Sequence, residues 1–159
     1  MNSPHTIAIL QVEDEEADIT LLQYVFRQAG IQVPLRAVTD GQMAIDYLSG
    51  AGPFADRATY PLPCLILLDL KLPKLTGLEV LAWLRQQPRL KRTVVIVFSS
   101  SAQLGDVERA YDLGANSFIQ KPPDLEHTRE IAQLLKAWWL GYNCFPLSCE
   151  VPGGTADQL

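Results

Sequence analysis

Short apolar runs alternate along this chain with stretches in which apolar residues recur every three or four positions. Ile7 to Val12 reads as a buried strand, and Ile19, Leu22, Val25, Phe26 and Ala29 then follow at helical spacing, with Gly30 as the stop. Leu35 to Thr39 is a weaker strand, followed by a short helix through Met43, Ala44, Tyr47 and Leu48. Cys64 to Leu68 is the most apolar run, and its lack of alternation suits a central strand covered on both faces. A helix through Leu78, Leu81, Ala82 and Leu84 ends near Pro88, and Val94 to Phe98 is the fourth strand. Val107, Ala110, Tyr111 and Leu113 mark a helix closed by Gly114, and Ser117 to Ile119 is a fifth short strand. Asp124 is placed to cap a last helix from Leu125 to about Leu140. The Gly- and Pro-rich stretch from Ser49 to Pro63 predicts an extended loop, and the chain beyond Gly141 a tail frayed at its end.

Strands alternating with helices in this way predict an α/β fold, a five-stranded parallel sheet with helices on both faces. In such a sheet ligands sit outside the carboxyl ends of the strands. Glu13 and Asp14 follow the first predicted strand, Asp69 the third, Ser99 the fourth and Lys121 the fifth. Each residue alone has a plainer reading, as a helix-terminal acid, a turn residue, a cap or a loop lysine. Their joint placement at one edge is what points to chemistry. Three carboxylates in one pocket repel one another unless a positive charge sits among them. Oxygen ligands with room left for water suit Mg²⁺, and Asp69 could then attack phosphorus with Lys121 neutralising charge and Ser99 donating a hydrogen bond.

Charge and composition narrow the classes. The chain has 159 residues, with 13 Lys and Arg against 18 Asp and Glu, a net charge of −5, which argues against a nucleic-acid binder. With 48% hydrophobic residues it can bury a core, yet no apolar run approaches the roughly 18 residues of a membrane span. The amino terminus lacks the basic start of a signal peptide. Cys64, Cys144 and Cys149 show neither CxxC spacing nor an even count, so reduced thiols in a cytoplasmic protein are expected, with no membrane partner. His5 and His127 are isolated and read as surface or structural residues.

The segments ILQVEDEEAD, LILLDLKLPKLTGLEVL, VVIVFSSS and YDLGANSFIQKP, in that order, resemble the receiver domain of two-component response regulators. The loop at 49–63, LPKLTGLEVL and the ending LLKAWWLGYN look most like small stand-alone regulators that serve phytochrome-type histidine kinases. The resemblance implies a flavodoxin-like strand order 2-1-3-4-5, a receiver domain over residues 1–142, and a partly disordered tail over 143–159. It implies Asp69 as phosphoacceptor and Glu13, Asp14, Asp69 and the backbone carbonyl of Lys71 as the Mg²⁺ site. Lys121 would contact the phosphoryl group, and Ser99 and Phe118 would form the hydroxyl and aromatic switch. It also implies a cis peptide between Lys121 and Pro122. Ser99 stands where Thr is commoner in the family, and Thr76 replaces a frequent Asp.

The residues after Lys121 suffice for one helix and a tail, so output is expected by contact with a downstream relay protein or by homodimer formation. Phe118, Leu135, Trp138 and Trp139 are the candidate dimer residues, since Trp is enriched at interfaces. A phosphatase of the haloacid-dehalogenase type needs a second acid two residues after its nucleophile, where this chain has Lys71. A flavin carrier needs backbone donors after the first strand, where Glu13 to Glu16 would repel a phosphate. A receiver fold without phosphorylation would lack part of the pocket, and no part is missing here.

Overall fold

The computed structural model describes residues 8–146. His5, Cys149 and most of the expected tail lie outside the described residues. In chain order the elements are β1 (Ile9–Val12), α1 (Glu16–Gln28), β2 (Leu35–Val38), α2 (Gly41–Ser49), β3 (Leu65–Leu68), α3 (Gly77–Gln86), β4 (Val94–Ser99), α4 (Leu104–Asp112), β5 (Ser117–Gln120) and α5 (Leu125–Leu135). The strands are parallel and lie in the order β2-β1-β3-β4-β5, as expected for a flavodoxin-like α/β sheet. The chain reverses direction across the sheet between β1 and β3, which opens a crevice at their carboxyl ends.

Alternating strand residues feed two opposed cores. Ile9, Leu65, Leu67, Ile96 and Phe98 pack with α1 and α5 through Leu22, Val25, Phe26, Ala132 and Leu135. Leu10, Val12, Ile66, Leu68 and Val95 point the other way, against Ala44, Tyr47 and Leu48 of α2 and Val80, Leu81 and Leu84 of α3. Leu70, Val97 and Ala110 form a smaller cluster beneath α4, with Phe118 packed on it. All four residues of β3 are buried because both of its faces are covered, whereas β5 is a half-exposed edge.

Two expectations require correction. The 49–63 segment is not simply extended. Gly52–Phe54 forms a 3₁₀ turn, and the rings of Tyr47, Phe54 and Tyr60 pack with centroids 5.2–5.9 Å apart. Arg57 donates to the C=O groups of Tyr47 and Leu48 at 2.7 and 2.9 Å, satisfying the carboxyl end of α2. The last helix stays α-helical only to Leu135, and Lys136–Tyr142 widens into a π-helical turn. The Asn143 N–H closes that turn on the Trp138 C=O, five residues back, at 2.8 Å. Gly141 and Asn143 are weak α-formers, so the end of the helix resists this widening little.

Candidate functional site

The sheet hydrogen bonding continues one residue past several strands and thereby fixes the chemical groups. Glu13 N–H donates to Val38 C=O at 3.0 Å, Asp69 N–H to Val12 C=O at 3.0 Å, and Lys121 N–H to Ser99 C=O at 2.8 Å. Each functional side chain is therefore attached to backbone held as firmly as a strand interior. A loop after Asp69 leads back to it at the start of α3. Gly77 N–H donates to Leu70 C=O at 2.9 Å, and a Cβ on Gly77 would lie 2.1 Å from the Asp69 carbonyl oxygen. Only glycine permits that approach. Thr76 and Glu79 close the turn with a capping box, Glu79 N–H to Thr76 Oγ1 at 3.2 Å and Thr76 N–H to Glu79 Oε2 at 2.7 Å.

Carboxylate oxygens of Glu13, Asp14 and Asp69 lie within 4.8 Å of one another. Lys121 Nζ donates to Glu13 Oε2, to Asp18 Oδ2 at 2.9 Å and to Asp69 Oδ2 at 3.1 Å. Glu13 is 2% exposed, and burial pushes its carboxyl up to about 7. The hydrogen bonds from Lys121 and the Glu15 N–H oppose that rise, and the charge of Asp69 adds to it. Burial alone would lower the Lys121 ammonium, but its hydrogen bonds to Glu13 and Asp18 and the charges of Asp69 and Glu13 outweigh it and hold the group above the usual lysine range. Three acidic side chains thus hold one ammonium, and the Asp14 carboxylate adds a fourth negative charge beside Glu13 and Asp69. The excess negative charge and the all-oxygen donor set fit a small, hard divalent cation.

The structure therefore brings Glu13, Asp14, Asp69 and Lys121 together. Ser99 is buried at the end of β4, joined to Lys121 through the backbone, and Ser101 N–H reaches its Oγ at 3.4 Å. Lys71 follows Asp69 in the loop, its N–H donating to Asp69 Oδ1 at 3.3 Å. Phe118 stands beside Val97 on β5 and is half-buried against Leu70, Val97 and Ala110. Asp18 was missed by the strand-end reasoning because it lies on α1. Its place in the first turn of the helix that follows Glu13 and Asp14 is the signal that could have placed it near the pocket.

Two further expectations are corrected. The Lys121–Pro122 peptide is trans, as are all peptide bonds among the described residues. Trans is the lower-energy form even before proline, by roughly 0.5–1 kcal/mol. Leu135, expected at a dimer surface, is 4% exposed and belongs to the core beneath α1 and α5. Trp139 is partly buried against the same core, while Trp138 is 61% exposed. No helix among the described residues is long and apolar enough to cross a membrane.

Comparison with known proteins places the chain in a family. The response regulator Rcp1 of Synechocystis is 39% identical over 132 residues, 83% of this chain and 88% of that one. The probable methanogenesis regulatory protein FilR2 of Methanothrix harundinacea is 36% identical, covering 87% of this chain and 86% of its own. The crystal structure of the phosphorylated cyanobacterial phytochrome response regulator RcpA superposes with a TM-score of 0.82 at 37% identity, over 88% of this chain and 98% of that one. The Mn²⁺-bound form of Rcp1 gives 0.79 at 37% identity, over 88% and 99% of the two chains. Residues 9–133 match the response regulator receiver domain, and with the strand order and the acidic pocket in place, this chain belongs to that family.

Proposed function

We propose that this response regulator takes a phosphoryl group from a histidine kinase onto Asp69 and signals by protein contact. The observation that carries the reading is the convergence of Glu13, Asp14, Asp69 and Lys121 at the strand ends. An Asp69 carboxylate oxygen forms the bond to phosphorus while the bond from phosphorus to the kinase imidazole nitrogen breaks, its electron pair returning to the ring. Glu13, Asp14, Asp69 and the Lys71 backbone carbonyl would hold Mg²⁺, which supplies charge neutralisation for a phosphoryl group among carboxylates. Lys121, kept protonated by its carboxylate partners, donates to a phosphoryl oxygen. Ser99 donates its hydroxyl hydrogen to another. Phe118 has no polar atom to desolvate, so turning further inward beside Val97 as Ser99 shifts costs little.

The name of the phytochrome response regulator RcpA supports a phytochrome-type histidine kinase as the donor. Leu134, Trp138 and Tyr142, four residues apart and all exposed, support a homodimer through the end of the last helix. Sedimentation at high micromolar protein tests that contact, and a monomer with and without a phosphoryl mimic refutes it.

Intact mass after acetyl phosphate treatment tests the phosphoacceptor. One labile adduct is expected in Mg²⁺, none without it and none in Asp69→Asn. An adduct that persists in Asp69→Asn places the acceptor elsewhere.

A further inference from the structure

We infer that Asp18 is a positioning residue, one that holds Lys121 in the resting protein and releases it when a phosphoryl group arrives on Asp69. The inference rests on the receiver reading above and adds a regulatory contact to it. An ammonium has three protons to donate, and in this structure Glu13, Asp18 and Asp69 take all three. Lys121 can donate to a phosphoryl oxygen only by giving up one of them. Glu13 is almost fully buried and its Oε1 already accepts from the Glu15 N–H, so withdrawing Lys121 from Oε2 would leave a buried carboxylate oxygen with no partner but a metal ion. Asp69 carries the incoming group and stays beneath the ammonium.

Asp18 is the partner that can be surrendered. Its side chain is 38% exposed, and it sits in the first turn of α1, where the helix dipole favours a negative charge left on its own. A pocket of about 30 Å³ is bordered by both Asp18 and Lys121, with Leu21, Leu22, Phe98 and Thr128 as its other walls. That is room for a single water, which can take the ammonium's place at the Asp18 carboxylate as the pair opens.

The contact stabilises the resting state only. In the phosphorylated protein, and in the transition states for gaining and losing the group, Lys121 is on the phosphoryl oxygens and Asp18 faces water. Removing the Asp18 charge therefore raises the rate of phosphorylation and leaves the rate of phosphoryl loss nearly unchanged. For a partly exposed ion pair the expected acceleration is about two- to fivefold. A purely structural role would not separate the two rates in this way.

The test measures both rates by intact mass, with acetyl phosphate as donor in Mg²⁺, on wild type, Asp18→Asn and Asp18→Ser. The two variants keep a small polar residue in the first turn, so either one carries the comparison if the other folds poorly. Faster phosphorylation by about two- to fivefold, with phosphoryl loss unchanged by comparison, supports the inference. Equal or slower phosphorylation, or phosphoryl loss that changes in step, overturns it and leaves the receiver reading intact. A wild type that takes no phosphoryl group overturns both.

Discussion

Replacing Gly77 by alanine sets two effects against each other, and the structure decides which wins. Gly77 opens α3, where helix propensity alone favours alanine by about 0.5–1 kcal/mol. The added Cβ would lie 2.1 Å from the Asp69 carbonyl oxygen and 2.8 Å from the Leu70 Cα. Those atoms are backbone, and they sit far inside the roughly 3.5 Å at which such pairs rest, so a side-chain rotation cannot relieve them. Overpacking of this kind costs about 1–3 kcal/mol or more, which outweighs the propensity gain. A net loss of about 1–2 kcal/mol lowers the melting temperature by roughly 3–8 °C in a chain of this size. The backbone that must give way is that of the proposed phosphoacceptor, and a displacement approaching 1 Å at a reacting group costs on the order of a hundredfold in rate. Gly105 is the internal control, since it lies in α4 with nothing within 4 Å of its Cβ position. Gly105→Ala is expected to raise stability slightly and leave phosphorylation unchanged. Thermal melts and acetyl phosphate kinetics on both variants check the argument. A Gly77→Ala protein as stable and as fast as Gly105→Ala refutes it.

Three other predictions concern stability and association. Gln11 is buried on β1, and its Oε1 has no hydrogen-bond partner in the structure, so Gln11→Met should raise the urea midpoint by a gain of about 1 kcal/mol, and a loss of that size would show a partner for the amide. Leu135→Ala should cost about 2–5 kcal/mol by opening a cavity between α1 and α5, while Trp138→Ala should stay within about 0.5 kcal/mol yet weaken self-association; equal destabilisation by the two in urea titrations would contradict the assignment of their faces. The His127 imidazole, hydrogen-bonded to Asp124 at 2.7 Å, is held above its usual range by that bond and by the carboxylate charge. Its contribution to the α5 cap is fully present below about pH 6.5 and lost as pH rises through the raised value, so the NMR titration of His127 should shift downward in Asp124→Asn.

The parts of this fold legible in the sequence are those set by neighbours along the chain. Leu65–Leu68 reads as a central strand because four consecutive apolar side chains need cover on both faces, and the structure covers them so. Asp124 reads as a cap because its side chain needs only the N–H of His127 three residues on. The chemical groups are legible for a related reason, since parallel strands deliver their ends to one edge whatever their separation in sequence. Contacts that depend on tertiary approach are not legible. Arg85 donates to Gly114 C=O at 2.6 Å and to Thr93 C=O at 2.8 Å, tying α3 to the entry of β4 and to the turn before β5, and nothing in the pattern around residue 85 announces those acceptors. The aromatic packing of Tyr47, Phe54 and Tyr60 escapes a reading that sees only glycines and prolines in the loop. Asp18 lies between the two cases. Its place on α1 follows from the helical period, but its hold on Lys121 exists only because β5 delivers that lysine beside β1's end from 103 residues further along the chain.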